Sequence, residues 1–182
     1  SPVEVNFNQC VKKLIEYYNA RQYSELILFG EKVAHQFPEK AIIRNILGAG
    51  HTALNQFSNA INHYKAALKL EPKNAEVLNN LGLTFKAIGD LKKANECFEN
   101  SISIKPNFAE AFNNMALSLK EERKFEKAII SLEKAIALKN NYAEAYYNLG
   151  NVYNLLGELE KSINMFTIAI DIKSDYFDAY NN

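Results

Sequence analysis

Residues 75–108, AEVLNNLGLTFKAIGDLKKANECFENSISIKPNF, set the frame for the whole chain. Leu78, Leu81, Gly82, Phe85 and Ile88 recur at helical spacing, Gly89-Asp90 interrupts, and Leu91, Ala94, Phe98, Ser101 and Ile102 resume the pattern up to Lys105-Pro106. The unit therefore reads as helix, turn, helix. Gly89 can take the left-handed conformation that closes the first helix, and Pro106 cannot continue the second. Gly82 and Ala94 are small where two helices must approach closely, while Phe85 and Phe98 are large where the gap must be filled. Small opposite large is thus the expected packing rule.

The same residue types return before and after this stretch. Pro38, Pro72 and Pro106 are evenly spaced, and their interval falls among the periods that point to a solenoid. Gly48, His51, Ala60, Tyr64 and Ala67 match the frame, as do Met115, Ala116, Leu119, Ala128, Leu132 and Ala135, and then Leu149, Gly150, Tyr153, Ser162, Phe166 and Ala169. This pattern resembles the tetratricopeptide repeat, whose signature sets Leu-Gly, Tyr, Ala, Phe, Ala and Pro at these steps. The resemblance implies an all-α, right-handed superhelical solenoid of antiparallel helix pairs. Departures are mild: Ala116 for Gly, Ser162 for Ala, Asn140 and Ser174 for Pro. Arg123 stands where Gly89 and Gly157 sit, so its turn is expected to be tighter or slightly strained.

On this frame residues 1–6 are a frayed N-terminus, 7–40 a divergent capping helix pair, and 41–74, 75–108, 109–142 and 143–176 four repeats, with 177–182 the start of a further, truncated one. In the first unit Leu14 replaces the small residue and Gly30 the aromatic, so that unit is expected to have lost the packing rule on one side. The chain stops inside a helix, which suggests a fragment of a longer array. Ile163, Phe166 and Ile170 would then be left as an exposed stripe, and end-to-end self-association is expected through it.

Composition narrows the functional classes. With 21 basic and 21 acidic residues among 182 the formal net charge is zero, which argues against nucleic acid as partner. No segment approaches the ~18 apolar residues that a membrane-spanning helix needs, and a cytoplasmic location is expected, although the chain opens Ser1-Pro2 rather than with Met. Cys10 and Cys97 lie in different units and read as small buried hydrophobes.

Protein or extended peptide is the expected partner. In tetratricopeptide arrays the first helices line the concave surface, and the sixth step of each unit reads Lys12, Ile46, Asn80, Asn114, Asn148, Asn182. An asparagine carboxamide presents donor and acceptor together and can pair with peptide backbone without reading side chains. The row resembles the asparagine ladder of O-linked N-acetylglucosamine transferase repeats, which implies Asn80, Asn114, Asn148 and Asn182 as rungs. Lys12 and Ile46 interrupt it. The flanking Asn45, Asn79, Asn113 and Asn181 are weaker candidates, and a purely structural role for all these amides stands as the other reading. Leu83, Leu117 and Asn151 would add apolar and polar contacts, and Lys86 and Lys120, with Thr52 and Asn154, a mildly cationic stripe. Glu76, Glu110, Glu144 and Asp178 sit in first turns, where the helix dipole favours them.

Enzyme chemistry is not visible. There is no phosphate loop, His-Glu-x-x-His string or nucleophile elbow, and no cofactor is expected. His35, His51 and His63 are scattered, so no metal site is expected either. The lysine pattern of the chaperone-tail clamp is also missing. The reading is a protein-interaction module or scaffold with a groove for extended polypeptide. Its rivals are the substrate-recognition arm of a larger transferase whose catalytic domain lies elsewhere, and a self-assembling scaffold.

Overall fold

The structure is a computed structural model that describes the backbone of residues 6–181 and the side chains through residue 174. Ten α-helices and no strand occur among the described residues. The first helices of the repeats are α1 (Phe7–Asn19), α3 (Ala41–Ala53), α5 (Ala75–Ala87), α7 (Ala109–Glu121) and α9 (Ala143–Leu155). The second helices are α2 (Tyr23–Gln36), α4 (Phe57–Leu70), α6 (Leu91–Ile104), α8 (Phe125–Leu138) and α10 (Leu159–Asn181). Both series advance by the same interval that the prolines announce.

The turns between first and second helices share one geometry. Arg21, Asn55, Gly89, Arg123 and Gly157, which follow one another at that same interval, all have positive φ, from 58° to 82°. At Arg123 the residue's own N–H bonds to the Lys120 carbonyl at 3.0 Å and the next N–H, of Lys124, reaches the Leu119 carbonyl at 2.9 Å. Arg21, Asn55 and Gly157 make the equivalent pair of bonds, the arrangement in which a left-handed residue satisfies the last carbonyls of a helix. The Arg123 turn is therefore no tighter than the others. It repeats their geometry at the steric cost that a Cβ incurs there.

Two compact units divide the chain, one ending at Ile88 and the other starting at Gly89. Each is a stretch of helical solenoid in which every helix packs on the next. In the first unit α1 also touches α3 and α3 touches α5; in the second α7 touches α9. Within each unit, first helices therefore adjoin one another as well as second helices. The first unit's core gathers Cys10, Leu14, Leu26, Val33, Ile43 and Leu47. That of the second gathers Ala116, Leu119, Ala128, Leu132, Ala135, Leu149 and Val152. Cys10 and Cys97 are both free and buried.

The size rule is visible in atomic distances. A Cβ added at Gly48 would lie 2.6 Å from Tyr64 Cε1, and one at Gly150 would lie 2.7 Å from Phe166 Cε1. Glycine and ring each hold the eighth position of their helices in both pairs. In the first unit the rule is inverted rather than lost. At the same two positions Leu14 is the large member and Gly30 the small one, with Leu14 Cδ2 3.3 Å from where a Gly30 Cβ would be.

Helix α10 runs from Leu159 to Asn181 without a break. The other second helices end after 14 residues. Ser174 stands where Pro72 and Pro106 occur in their repeats, and serine keeps the N–H that a continuing helix needs. Asn140 keeps it too, yet α8 ends at Leu138, so the absence of proline permits the continuation without dictating it.

Candidate functional site

In the first unit the first helices enclose a groove of about 390 Å³. Asn45, Ala49 and Thr52 face it from α3 at helical spacing, Asn80 and Leu83 from α5, and Ile15 and Tyr18 from α1, with Tyr64 of α4 beneath. Its walls are bridged by amides and hydroxyls. Asn80 Nδ2 donates to Asn45 Oδ1 at 3.1 Å. The hydroxyls of Thr52 and Thr84 are 3.1 Å apart, and each can donate to a carbonyl one turn back, Gly48 at 2.9 Å and Asn80 at 3.0 Å. Two hydroxyl hydrogens cannot fill all three contacts unless one is shared, and the Tyr64 hydroxyl, 3.5 Å from Thr52, borders the same cluster. Burial pushes the Tyr64 phenol up to about 12, so it remains a neutral donor at physiological pH.

The second unit repeats the amide bridge. Asn148 Nδ2 donates to Asn113 Oδ1 at 2.9 Å, with the same offset along the chain as Asn80 and Asn45. Asn113 in turn donates to Glu144 Oε1 at 3.2 Å. Glu144 thus serves a buried amide as well as a helix dipole. Asn113 and Asn148 are buried, whereas Asn114, Leu117, Lys120 and Asn151 are half-buried.

Of the sequence candidates, Asn80 and Leu83 line the first-unit groove, and Lys86 lies on the same helix outside its lining. Asn114, Asn148, Leu117, Lys120 and Asn151 belong to the second unit, and Asn182 lies outside the described residues. The groove also takes in Ile46, which interrupts the asparagine row, the flanking Asn45 and the stripe residue Thr52, while Ile15 and Tyr18 are lining residues outside the sequence candidates. The offset between Asn45 and Asn80, one step longer than the repeat, is the signal that joins the flanking row to the sixth-step row.

A second cluster forms where α2, α3 and α4 meet. One ligand atom each of Glu31, His51 and His63 lies within 4.8 Å of the others. His63 Nε2 is 3.0 Å from Glu31 Oε1, His51 Nδ1 is 2.7 Å from Gln56 Oε1, and the two imidazoles stack with centroids 5.1 Å apart. Arg44 Nη1 stands 3.8 Å from the other Glu31 oxygen. Burial holds the His63 pKa below its ordinary value, against the pull of Glu31.

In the second unit a strongly apolar groove of about 680 Å³ lies between α9 and α10, walled by Ala143, Tyr147, Phe166, Ala169 and Ile170. No helix among the described residues is long and apolar enough to cross a membrane.

Comparison with known families settles the kinship. The family described as "TPR repeat" matches residues 51–89 and 119–157, and "Tetratricopeptide repeat" matches 75–108 and 143–176. The chain belongs to the tetratricopeptide repeat family. No curated protein matches the sequence. Among solved structures, that of MamA aligns with a TM-score of 0.77 at 21% identity, covering 90% of this chain and 95% of its own. Pseudomonas aeruginosa pilF aligns at 0.83 and 17%, covering 91% and 75%. TTC0263, a thermophilic tetratricopeptide protein of Thermus thermophilus, aligns at 0.79 and 17%, covering 97% and 100%. These likenesses concern the fold. The tetratricopeptide fold supports a protein–protein interaction scaffold, and scaffold proteins of the family are generally not enzymes.

Proposed function

We propose that this tetratricopeptide chain holds extended polypeptide in the groove made by its first helices. The groove of the first unit carries the reading, because it sets paired amides beside apolar walls. The bond to Asn45 uses one of the Asn80 amide's two donors, so a donor and carbonyl lone pairs are left for a peptide backbone. Leu83, Ile46, Ile15 and Tyr18 offer apolar contact to alternate side chains of an extended segment. Asn114, Asn148, Leu117, Asn151 and Lys120 are the sequence equivalents in the second unit, with Lys86 and Asn182 completing the proposed set.

The test is selection of peptides from a random library on the full chain, followed by fluorescence polarisation with Tyr18→Ala, Leu83→Arg and a control, Leu28→Arg, on an exposed outer position of α2. Weakening by the first two alone supports the groove. Equal binding by all three places recognition elsewhere.

A second reading, self-association, is favoured by the apolar groove of the second unit and by Tyr147, Ile163 and Ile170, each more than half exposed. Sedimentation of wild type and Ile170→Glu over a concentration series separates it from peptide binding. A monomer throughout removes it.

A further inference from the structure

The sequence spaces Glu31, His51 and His63 so far apart that nothing joins them, yet the fold brings one atom of each into a single cluster. Their chemistry is that of a borderline metal ion: two imidazole nitrogens and one carboxylate oxygen, a set that binds zinc with a fourth position left to solvent. We propose that Glu31, His51 and His63 bind one divalent transition-metal ion of the zinc class, tying α2, α3 and α4 together.

Three observations support the geometry. First, His51 is 6% exposed and its Nδ1 faces the Gln56 carbonyl oxygen at 2.7 Å. An acceptor there makes Nδ1 the donor and leaves the lone pair on the other ring nitrogen, which is how metal-binding histidines are oriented. Second, Glu31 is half exposed, so an ion can reach the cluster without opening the core. Third, Arg44 and His51 are two turns apart on one face of α3, while Asn45, Ala49 and Thr52 form the neighbouring face that lines the groove. The three proposed ligands therefore lie outside the groove's lining.

Binding requires a small rearrangement. The ligand atoms, within 4.8 Å of one another, close to ~2.0–2.2 Å from the ion. The rings are 13° from parallel, so one must turn about χ2 for both lone pairs to converge. His63, which gives up its bond to Glu31 and shifts that hydrogen to its other nitrogen, is the less buried of the two. Arg44 then neutralises the free Glu31 oxygen.

The experiment uses the full tag-free chain. Calorimetric titration with Zn²⁺ is expected to give one ion per chain, with a rise in melting temperature, and Co²⁺ to give the intense visible absorption of a four-coordinate site. Glu31→Gln and His63→Gln should each weaken Zn²⁺ binding by more than roughly tenfold, and Gln56→Ala by about tenfold, whereas His35→Gln should leave it unchanged. Because Glu31 is exposed, its variant keeps the fold, and circular dichroism verifies that. No uptake of either ion, or uptake indifferent to Glu31→Gln and His63→Gln, overturns the proposal.

Discussion

Gly48 and Tyr64 are fitted so closely that a single methyl at residue 48 would lie 2.6 Å from Cε1 of the ring. Tyr64 is almost fully buried, with its hydroxyl beside Thr52, and has less room to retreat than the half-buried Phe166. Gly48→Ala is therefore expected to destabilise the fold by ~1–3 kcal/mol, the range for an overpacked core. Gly150→Ala meets Phe166 at a similar distance, but that ring borders the open apolar groove of the second unit and can shift. Its cost should be visibly smaller. Urea melts of both variants compare them directly, and a wild-type midpoint for Gly48→Ala would show that the pair imposes no constraint.

Backbone and space can be separated at the turns. Nothing lies within 4 Å of a Cβ placed on Gly89, yet its φ is +82°. Gly89→Ala should thus lose ~1 kcal/mol by dihedral strain alone. The converse change, Arg123→Gly, removes strain at φ 61° and adds unfolded-chain entropy, so its gain should be a few tenths to ~1 kcal/mol. Thermal unfolding of the two variants reads opposite signs, and equal signs would contradict the turn geometry.

Asn113 is completely buried, and its side chain both accepts from Asn148 and donates to Glu144. Removing Asn148 strands a buried acceptor, so Asn148→Ala should cost ~1–3 kcal/mol. Asn80→Ala should cost less, because Asn45 is half-buried and water can replace the lost donor. If both variants melt alike, the two bridges contribute equally and burial does not separate them.

Burial, with Glu96 and Asp90 adding negative charge, pushes the Cys97 thiol up to about 11 from an ordinary 9.0. A raised folded-state pKa gives stability that is present below pH 9.0 and lost as pH rises toward about 11, since the unfolded chain ionises first. Cys97→Ala should flatten that part of the stability profile. At pH 9 the folded thiol should also alkylate roughly fifty-fold more slowly than in urea, following its thiolate fraction. Comparable rates in the two states would refute the shift.

How much was legible follows from which forces repeat. The fixed period exposed the helix pairs, because Leu81-Gly82, Phe85 and Ala94 answer to packing that recurs, with mild departures, from the second unit on. The left-handed turn at Arg21 was hidden, since arginine does not advertise positive φ as glycine does, while Asn55 carried only the weaker signal of an asparagine. The amide bridges were half legible: the asparagine row was plain, but the step from Asn45 to Asn80 exceeds the repeat because the bond crosses to the next first helix. The histidine cluster was not legible at all. Glu31, His51 and His63 belong to no repeat position in common, and only the meeting of α2, α3 and α4 gives them a relation.

The exchanged sizes of Leu14 and Gly30 bear on how an array of near-identical parts assembles without error. Were α1 to pair with α4 instead of α2, Leu14 and Tyr64, the two large members, would meet where each of these hairpins sets one large residue against one small one. That mispairing is penalised by crowding. A divergent first unit thus acts as a key that fits one lock, fixing where counting begins.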